Sequence, residues 1–164
     1  LIQIDNSKLD ILRELLLGEL KNSSVLIWCS YSHEINAIKE QVQKMKQPSF
    51  VITGKIPFNE RDRRIKLFQD GKCKRLILQS KCFEEGGATM NRADCSIFFS
   101  SPLGLKSRLQ NEDRMVDAYF DDPDLIIDLC AEDTIEEDII TALMRKEARQ
   151  DMMKRIVRRL QGVK

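Results

Sequence analysis

Apolar residues along the chain alternate between short continuous runs and helical spacings. A short continuous apolar run is typical of a strand that is buried on both faces of a parallel sheet. Such runs predict strands at residues 25–29, 50–53, 76–78, 96–99 and 125–129. Between the runs, apolar residues recur at the spacing of one helix face, so the pattern predicts helices in the intervals.

The predicted helices have recognisable starts. Ser7 with Asp10 resembles a capping box, in which two side chains bond backbone N–H groups at the start of a helix. Thr134 with Glu137 forms the same pattern. Pro57 suits the first turn of a helix because the N–H that proline lacks is not needed there. The helix from Thr134 is predicted to be the long closing element.

Alternating strands and helices with short connections predict an α/β fold. Its parallel sheet is expected to be wound right-handedly, with helices on both faces. Ligands of such sheets bind beyond the carboxyl ends of the strands, so the residues that follow each strand should share one rim. The predicted rim residues are Ser30, Tyr31, Thr53, Gly54, Ser80, Lys81, Ser100 and Ser101.

Composition narrows the class of protein. The chain has 164 residues, 42% of them hydrophobic and 32% charged, which fits one globular domain. No apolar run approaches the roughly 20 residues that a membrane helix needs, so we expect no membrane association. The chain begins at Leu1 rather than Met and no signal peptide is visible, so we expect a piece of a longer protein that is cytoplasmic.

The five cysteines contain no Cys-x-x-Cys pair, and the chain has one histidine. This spacing is unlike that of a zinc site, so we expect no metal and reduced, mostly buried thiols.

Charge is distributed unevenly although the net charge is only +1. Residues 112–138 contain twelve acidic residues and one basic residue, Arg114. Residues 145–164 contain eight basic residues against Glu147 and Asp151. We therefore predict a main domain at residues 1–144 and a basic helical extension at 145–164. The basic run is either a solvated helix face or a contact for nucleic acid or another lobe.

Five consecutive residues carry the chemistry: Gln110-Asn111-Glu112-Asp113-Arg114, followed by Asp117. This segment resembles motif VI of the superfamily 2 helicases, in the form found in Swi/Snf-type DNA translocases. In that family a glutamine and two arginines face the cleft between two RecA-like lobes and contact ATP. Arg114 occupies the first arginine position, whereas Asp117 places a carboxylate where the family has the second arginine.

Other blocks resemble the same family in the correct order, from about Ser7 to about Arg149. They are residues 7–10, 25–31 (motif IV), 53–68, 79–89 (motif V) and 133–137. In finer detail, residues 79–81, 126–129 and 131–134 resemble those of phage and bacterial members of the family more than those of chromatin remodellers. The resemblance implies a RecA-like second lobe, the helicase C-terminal lobe, which ends in a long helix.

The resemblance implies an ATP-dependent DNA translocase or helicase. The phosphate loop and magnesium-binding acidic motif of such enzymes lie in the first lobe, and no such motifs occur here. ATP with Mg²⁺ would therefore be held mainly by the N-terminal RecA-like lobe of the same parent protein. This chain would supply Gln110 and Arg114 as catalytic residues, with Arg114 as an arginine finger.

Motif V adds a glycine-rich segment to the expected nucleotide site. Glu85, Gly86 and Gly87 are the predicted nucleotide-binding residues, together with Gln110 and Arg114. The glycines let backbone amides approach a phosphate or ribose. Thr89 stands near the position where the family has an asparagine.

The predicted DNA contacts reach phosphate oxygens, which position a strand without reading its bases. They are Ser30, Tyr31, Thr53, the Gly54 amide, Lys55 and Lys81.

Two alternatives stay open at this point. One is a catalytically degraded helicase-like lobe that serves as a DNA- or protein-binding module, which the changes at Asp117 and Thr89 favour. The other is an unrelated α/β domain of receiver or flavodoxin type whose likeness to motif VI is accidental. The ordered blocks argue against this second alternative.

Overall fold

A computed structural model describes residues 6–83, 88–115, 125–145 and 156–157. Within them, five parallel strands form one sheet in the order β2-β3-β1-β4-β5. The strands are β1 Val25–Cys29, β2 Ser49–Ile52, β3 Arg75–Gln79, β4 Cys95–Phe98 and β5 Leu125–Asp128. The helices are α1 Ser7–Leu17, α2 Ser32–Lys44, α3 Phe58–Gln69, α4 Leu105–Glu112 and α5 Ile135–Met144, and a 3₁₀ turn, Ser80–Phe83, follows β3. The predicted parallel α/β fold is confirmed.

Two apolar layers cover the sheet, because alternate residues of the central strands point to opposite faces. Val25 and Ile27 join the layer that α1 and α2 form on one face. Leu26 and Trp28 join the layer on the other face, which includes Phe68 of α3. Trp28 is fully buried and its indole N–H donates to Ser96 Oγ at 3.2 Å. These layers hold the strands rigid, so the rim beyond their carboxyl ends has a fixed shape.

Helix starts differ from two of the predicted caps. Helix α1 begins at Ser7 with Asn6 at the N-cap, so Ser7 is inside the helix rather than its cap. Thr134 does cap α5, but its hydroxyl accepts from the Glu136 N–H rather than from that of Glu137. Each prediction differs from the structure by one residue: in the cap itself for α1, and in the N–H group that the cap binds for α5. The geometry of the preceding loop determines both.

Arg75 is buried at the start of β3, where the pattern predicted only an apolar strand. Its guanidinium donates to the backbone carbonyls of Leu20, Lys21 and Ser23 and to Gln47 Oε1 at 3.0 Å. These bonds satisfy carbonyls after α1 that have no partner within a helix. A fully bonded arginine can therefore replace an apolar residue in the core.

The basic extension lies mostly outside the described residues. Ile156 is described, and it packs in a small apolar cluster with Ile139 and Ala142 of α5. Of the predicted extension, Ile156 thus contributes to the apolar packing of α5.

Candidate functional site

The carboxyl ends of the strands bring the predicted rim residues into one row. Following the strand order, residues 53–55 lie after β2, 80–83 after β3, 30–31 after β1 and 100–101 after β4. Neighbouring strands are about 4.8 Å apart, so the row extends over roughly 15 Å. Helix α4 and the turn that contains Arg114 pack against the part of the rim that follows β3.

The sequence predicts a helix after Gly104 that contains Arg114. This prediction is wrong for Arg114, which lies in a turn after the end of α4. Its Nη2 donates to the Phe83 carbonyl at 3.1 Å, and its guanidinium lies 5.9 Å from the centre of the Phe83 ring. Its own carbonyl accepts from the Met90 N–H at 2.6 Å. Arg114 therefore joins motif VI to Phe83, inside motif V, and to Met90, the residue just after it.

Three polar side chains near Arg114 have buried atoms without a hydrogen-bond partner among the described residues. They are Ser80 Oγ, Gln110 Oε1 and both amide atoms of Asn111, a residue with no exposed surface. Each such atom costs on the order of 1–3 kcal/mol relative to a satisfied one. Unsatisfied polar groups are rare in native interiors and collect where a protein binds or rearranges. These unsatisfied atoms cluster where α4 packs against the 80–83 turn.

Arg108 holds α4 to the sheet. Its guanidinium forms a bidentate pair with Asp128 at the end of β5, with Nη2 2.9 Å from Oδ2. It also bonds Glu112 one helical turn later and Ser101 Oγ at 3.0 Å, and it lies 3.6 Å from the centre of the Phe98 ring. Burial alone would lower the pKa of Arg108, but the bonds and charges of Asp128 and Glu112 raise it.

The loop between β2 and α3 is braced from two sides. Gln79 Oε1 accepts from the Gly54 N–H at 3.2 Å, and Arg61 Nη2 donates to the Gly54 carbonyl at 3.1 Å. Arg61 Nε also donates to the Ile56 carbonyl at 2.7 Å. A phosphate that used the predicted Gly54 amide would have to displace Gln79. The phosphate contact predicted for the Gly54 amide therefore stays a prediction, and it requires the bond to Gln79 to break.

Lys55 and Lys81 are exposed on adjacent loops. The two loops touch, because a Cβ placed on Gly54 would come 3.9 Å from the Cys82 sulfur. Among the described residues, neither lysine has an ion-pair partner. Within the described residues, two positive charges without an ion-pair partner therefore project from the β2–β3 part of the rim, beside the partly exposed Thr53.

The β1–β4 part of the rim is a hydrogen-bonded cluster. Ser100 Oγ donates to Glu34 Oε2 at 2.6 Å and accepts from the Ser30 N–H at 2.7 Å. The Tyr31 N–H donates to the same carboxylate at 3.1 Å, and the Tyr31 ring stacks on His33 with a centroid distance of 5.7 Å. Glu34, to which the sequence assigned no chemistry, thus organises this cluster and places a negative charge beside two predicted phosphate contacts.

Four sequence-predicted positions lie outside the described residues: Glu85, Gly86, Gly87 and Asp117. Their proposed contacts with nucleotide stay predictions. Thr89 is described and exposed, and its carbonyl accepts from Gln69 at the end of α3 at 3.4 Å.

Sequence reasoning missed two bracing residues, Arg108 and Gln79. A signal existed for Arg108, since its spacing of four from Glu112 is that of a helical ion pair. No sequence signal identified Gln79, because its partner Gly54 lies on a different strand connection.

Among the described residues, no group of three histidine, cysteine, aspartate or glutamate side chains could hold a metal ion.

Within the described residues, no helix is long and apolar enough to cross a bilayer.

A family model described as "Helicase conserved C-terminal domain" matches residues 7–118 of the chain. This range contains the rim, Gln110 and Arg114. No curated protein matches the chain by sequence.

Three solved structures resemble the fold. The C-terminal part of the Fun30 ATPase domain is 20% identical over 94% of this chain and 54% of that one, with a TM-score of 0.76. The C-terminal domain of the DEAD-box protein Dbp5 is 19% identical over 87% and 79%, with a TM-score of 0.73. The Hef helicase domain of Pyrococcus furiosus is 21% identical over 82% and 28%, with a TM-score of 0.65. The expected RecA-like fold is confirmed, and the chain spans about half of the Fun30 structure.

Proposed function

Because this chain belongs to the helicase conserved C-terminal domain family, we propose that it is the second motor lobe of an ATP-dependent DNA translocase or helicase. It would work with an N-terminal RecA-like lobe of the same parent protein, which would hold most of the ATP and Mg²⁺. The ordered sequence blocks support a Swi/Snf-type member of superfamily 2. A phage or bacterial origin stays a prediction.

The placement of Arg114 is the observation that carries this proposal. The side chain is half-buried and bonded to the Phe83 carbonyl, and its backbone is bonded to Met90. An arginine finger needs such anchoring, because misplacement of a catalytic group by about 1 Å can cost on the order of 10²-fold in rate. Movement of the motif V segment would also move Arg114. A structural change at the DNA contacts would in this way reach the nucleotide site.

The chemistry of a guanidinium suits this role. It stays charged at any working pH and presents a planar fork of donors to phosphate oxygens. In a cleft closed by the first lobe, Arg114 would stabilise the charge that develops on the transferred phosphoryl group. Gln110 precedes Arg114 by four residues, and its buried carbonyl oxygen has no partner among the described residues. It would accept a hydrogen bond from the attacking water only if closure of the two lobes exposed it.

On the DNA side, Lys55 and Lys81 would neutralise phosphates of one strand. Thr53, Ser30 and Tyr31 would add hydrogen bonds to the same backbone. None of these groups reads a base edge in this arrangement, so binding would be independent of sequence. Relative motion of the two lobes would then carry this grip along the strand.

The isolated 164-residue chain is expected to show no ATP turnover, because the lobe that cradles the phosphates and Mg²⁺ is supplied by other sequence. A steady-state phosphate-release assay, with a heat-inactivated sample as the baseline, checks this. Turnover clearly above that baseline would contradict the division of labour proposed here.

DNA binding by the isolated chain is expected to be weak and salt-dependent. If Lys55 and Lys81 neutralise two phosphates, raising salt from about 50 to about 200 mM should lower duplex affinity roughly tenfold. Fluorescence anisotropy with a labelled duplex at several salt concentrations measures this slope. An affinity that is constant across that range would argue against backbone contact through these lysines.

A second candidate function is a helicase-like lobe that binds DNA or protein without supporting catalysis. Asp117 favours it, since a carboxylate stands where the resemblance expects a cation. The full-length sequence separates the candidates: an intact phosphate loop in the first lobe supports the motor, and its loss supports the binding module.

A further inference from the structure

Phe58 is an exposed aromatic side chain at the rim that neither the fold nor the proposed function uses. It is the first residue of α3, and 74% of its surface is exposed. No other ring stacks on it among the described residues. The other exposed aromatic at the rim, Tyr31, already has one face against His33.

The loop that presents Phe58 is fixed before any ligand binds. Pro57 precedes the helix with its φ locked by the ring, and the Ile56 N–H closes a turn onto the Thr53 carbonyl at 3.1 Å. The two Arg61 bonds described above hold the middle of this loop. A ligand that contacts Phe58 would therefore lose little of its binding free energy to ordering of the loop.

The charges around Phe58 favour an anionic partner. Lys55 lies three residues away on the same loop, and Lys81 projects from the neighbouring one. Two acids of α3 lie near the ring. Glu60 bonds both Arg63 and Arg64, and these bonds lower its pKa to about 2. Asp62, exposed one helical turn after Phe58, adds one negative charge, which Lys55 and Arg61 outnumber, so the described residues around the ring carry a net positive charge.

We propose that Phe58 is a stacking platform for an unpaired nucleobase, so that this rim takes single-stranded DNA in preference to duplex. Proteins that bind single strands combine a positive track for the backbone with aromatic rings on which bases stack. Lys55 and Lys81 form the track and Phe58 forms the platform. In a duplex the bases are already stacked, so the same ring would find no base face to cover. This inference rests on the proposed function, because it needs the backbone contacts of the rim.

The experiment measures affinity of the 164-residue chain for a labelled oligothymidylate of about 12 nucleotides and for a duplex of the same length. Phe58→Ala should weaken single-strand binding about 5- to 100-fold, the range for loss of one stacked base. Phe58→Trp should preserve it. Met144→Ala is the matched control, since Met144 is equally exposed at 75% and lies on α5.

Salt dependence separates the ring from the lysines. Phe58→Ala should leave the slope of affinity against salt unchanged, whereas Lys55→Ala should reduce it by about 0.7 for a single strand. A 2-aminopurine base in the oligonucleotide should lose fluorescence on binding to the parent chain and keep it with Phe58→Ala.

Three results would overturn the inference. Unchanged single-strand affinity of Phe58→Ala, with Lys55→Ala weakened, would remove stacking and leave the backbone contacts standing. An equal loss for duplex would show that the ring touches the backbone rather than an unpaired base. Absence of binding to either DNA at low salt would overturn both this inference and the proposed DNA contacts.

Discussion

Replacing Arg114 by alanine in the two-lobe parent protein is expected to lower ATP turnover by about 10³-fold or more. The motif VI segment offers one guanidinium at the expected finger positions, since Asp117 occupies the second. No neighbouring arginine of that motif can then take over the charge on the phosphoryl group. Because the contact strengthens in the transition state, the loss should fall on kcat more than on KM.

Arg114→Lys tests geometry as well as charge. A lysine keeps the positive charge but presents a single point of contact instead of a planar fork, so we expect only partial recovery of turnover. Arg63→Ala is the matched control, since it removes an arginine whose side chain is 62% exposed on α3. Robust turnover in Arg114→Ala would refute the finger, and a parent without turnover would favour the binding module.

Stability of the lobe must be measured beside these rates. Arg114 bonds Phe83, so its loss can loosen the turn after α4. A thermal melt of each variant separates an unfolded lobe from a folded lobe that lacks its finger. We expect the folded state to survive, because Arg114 is only half-buried and the apolar cores do not depend on it.

Replacing Arg108 by alanine is expected to destabilise the fold by about 3–5 kcal/mol, the range for breaking a buried ion pair. The Arg108 side chain is only 8% exposed, and its loss would leave Asp128 and Glu112 facing each other without the intervening cation. Urea unfolding of the chain and the variant gives the difference in free energy of unfolding. Arg63→Ala again serves as the comparison and should cost much less than Arg108→Ala, because its pair with Glu60 is at the surface.

A companion substitution identifies the cause of that loss. Asp128→Asn in the Arg108→Ala background removes one stranded carboxylate, so the double variant should recover part of the stability. Destabilisation below about 1 kcal/mol for Arg108→Ala would show that water replaces the guanidinium, and α4 would then be held by apolar packing. Because α4 carries Gln110 and leads into Arg114, this pair also positions the proposed catalytic residues.

Local pattern in the sequence was sufficient for most of the secondary structure. The apolar runs at β1, β2 and β3 are strands, and Ile65 and Phe68 of α3 are buried as their spacing predicted. These features follow from the sequence because a strand buried on both faces, or one face of a helix, must be apolar wherever the rest of the chain lies. The parallel α/β class follows from the order of such segments.

The tertiary structure decided which polar groups meet. No sequence pattern predicts burial of Arg75 or Arg108, yet both are buried because carbonyls and carboxylates from other segments accept hydrogen bonds from their guanidinium groups. Arg114 leaves the helix that the motif suggested, and its position depends on Phe83 and Met90 across the rim. Phe58 lies on nearly the same face of α3 as the buried Ile65, seven residues later, and it is exposed because it is the first residue of the helix, at the rim rather than over the sheet. Burial of a charge and exposure of a ring depend on partners far away in sequence, so local pattern cannot determine them.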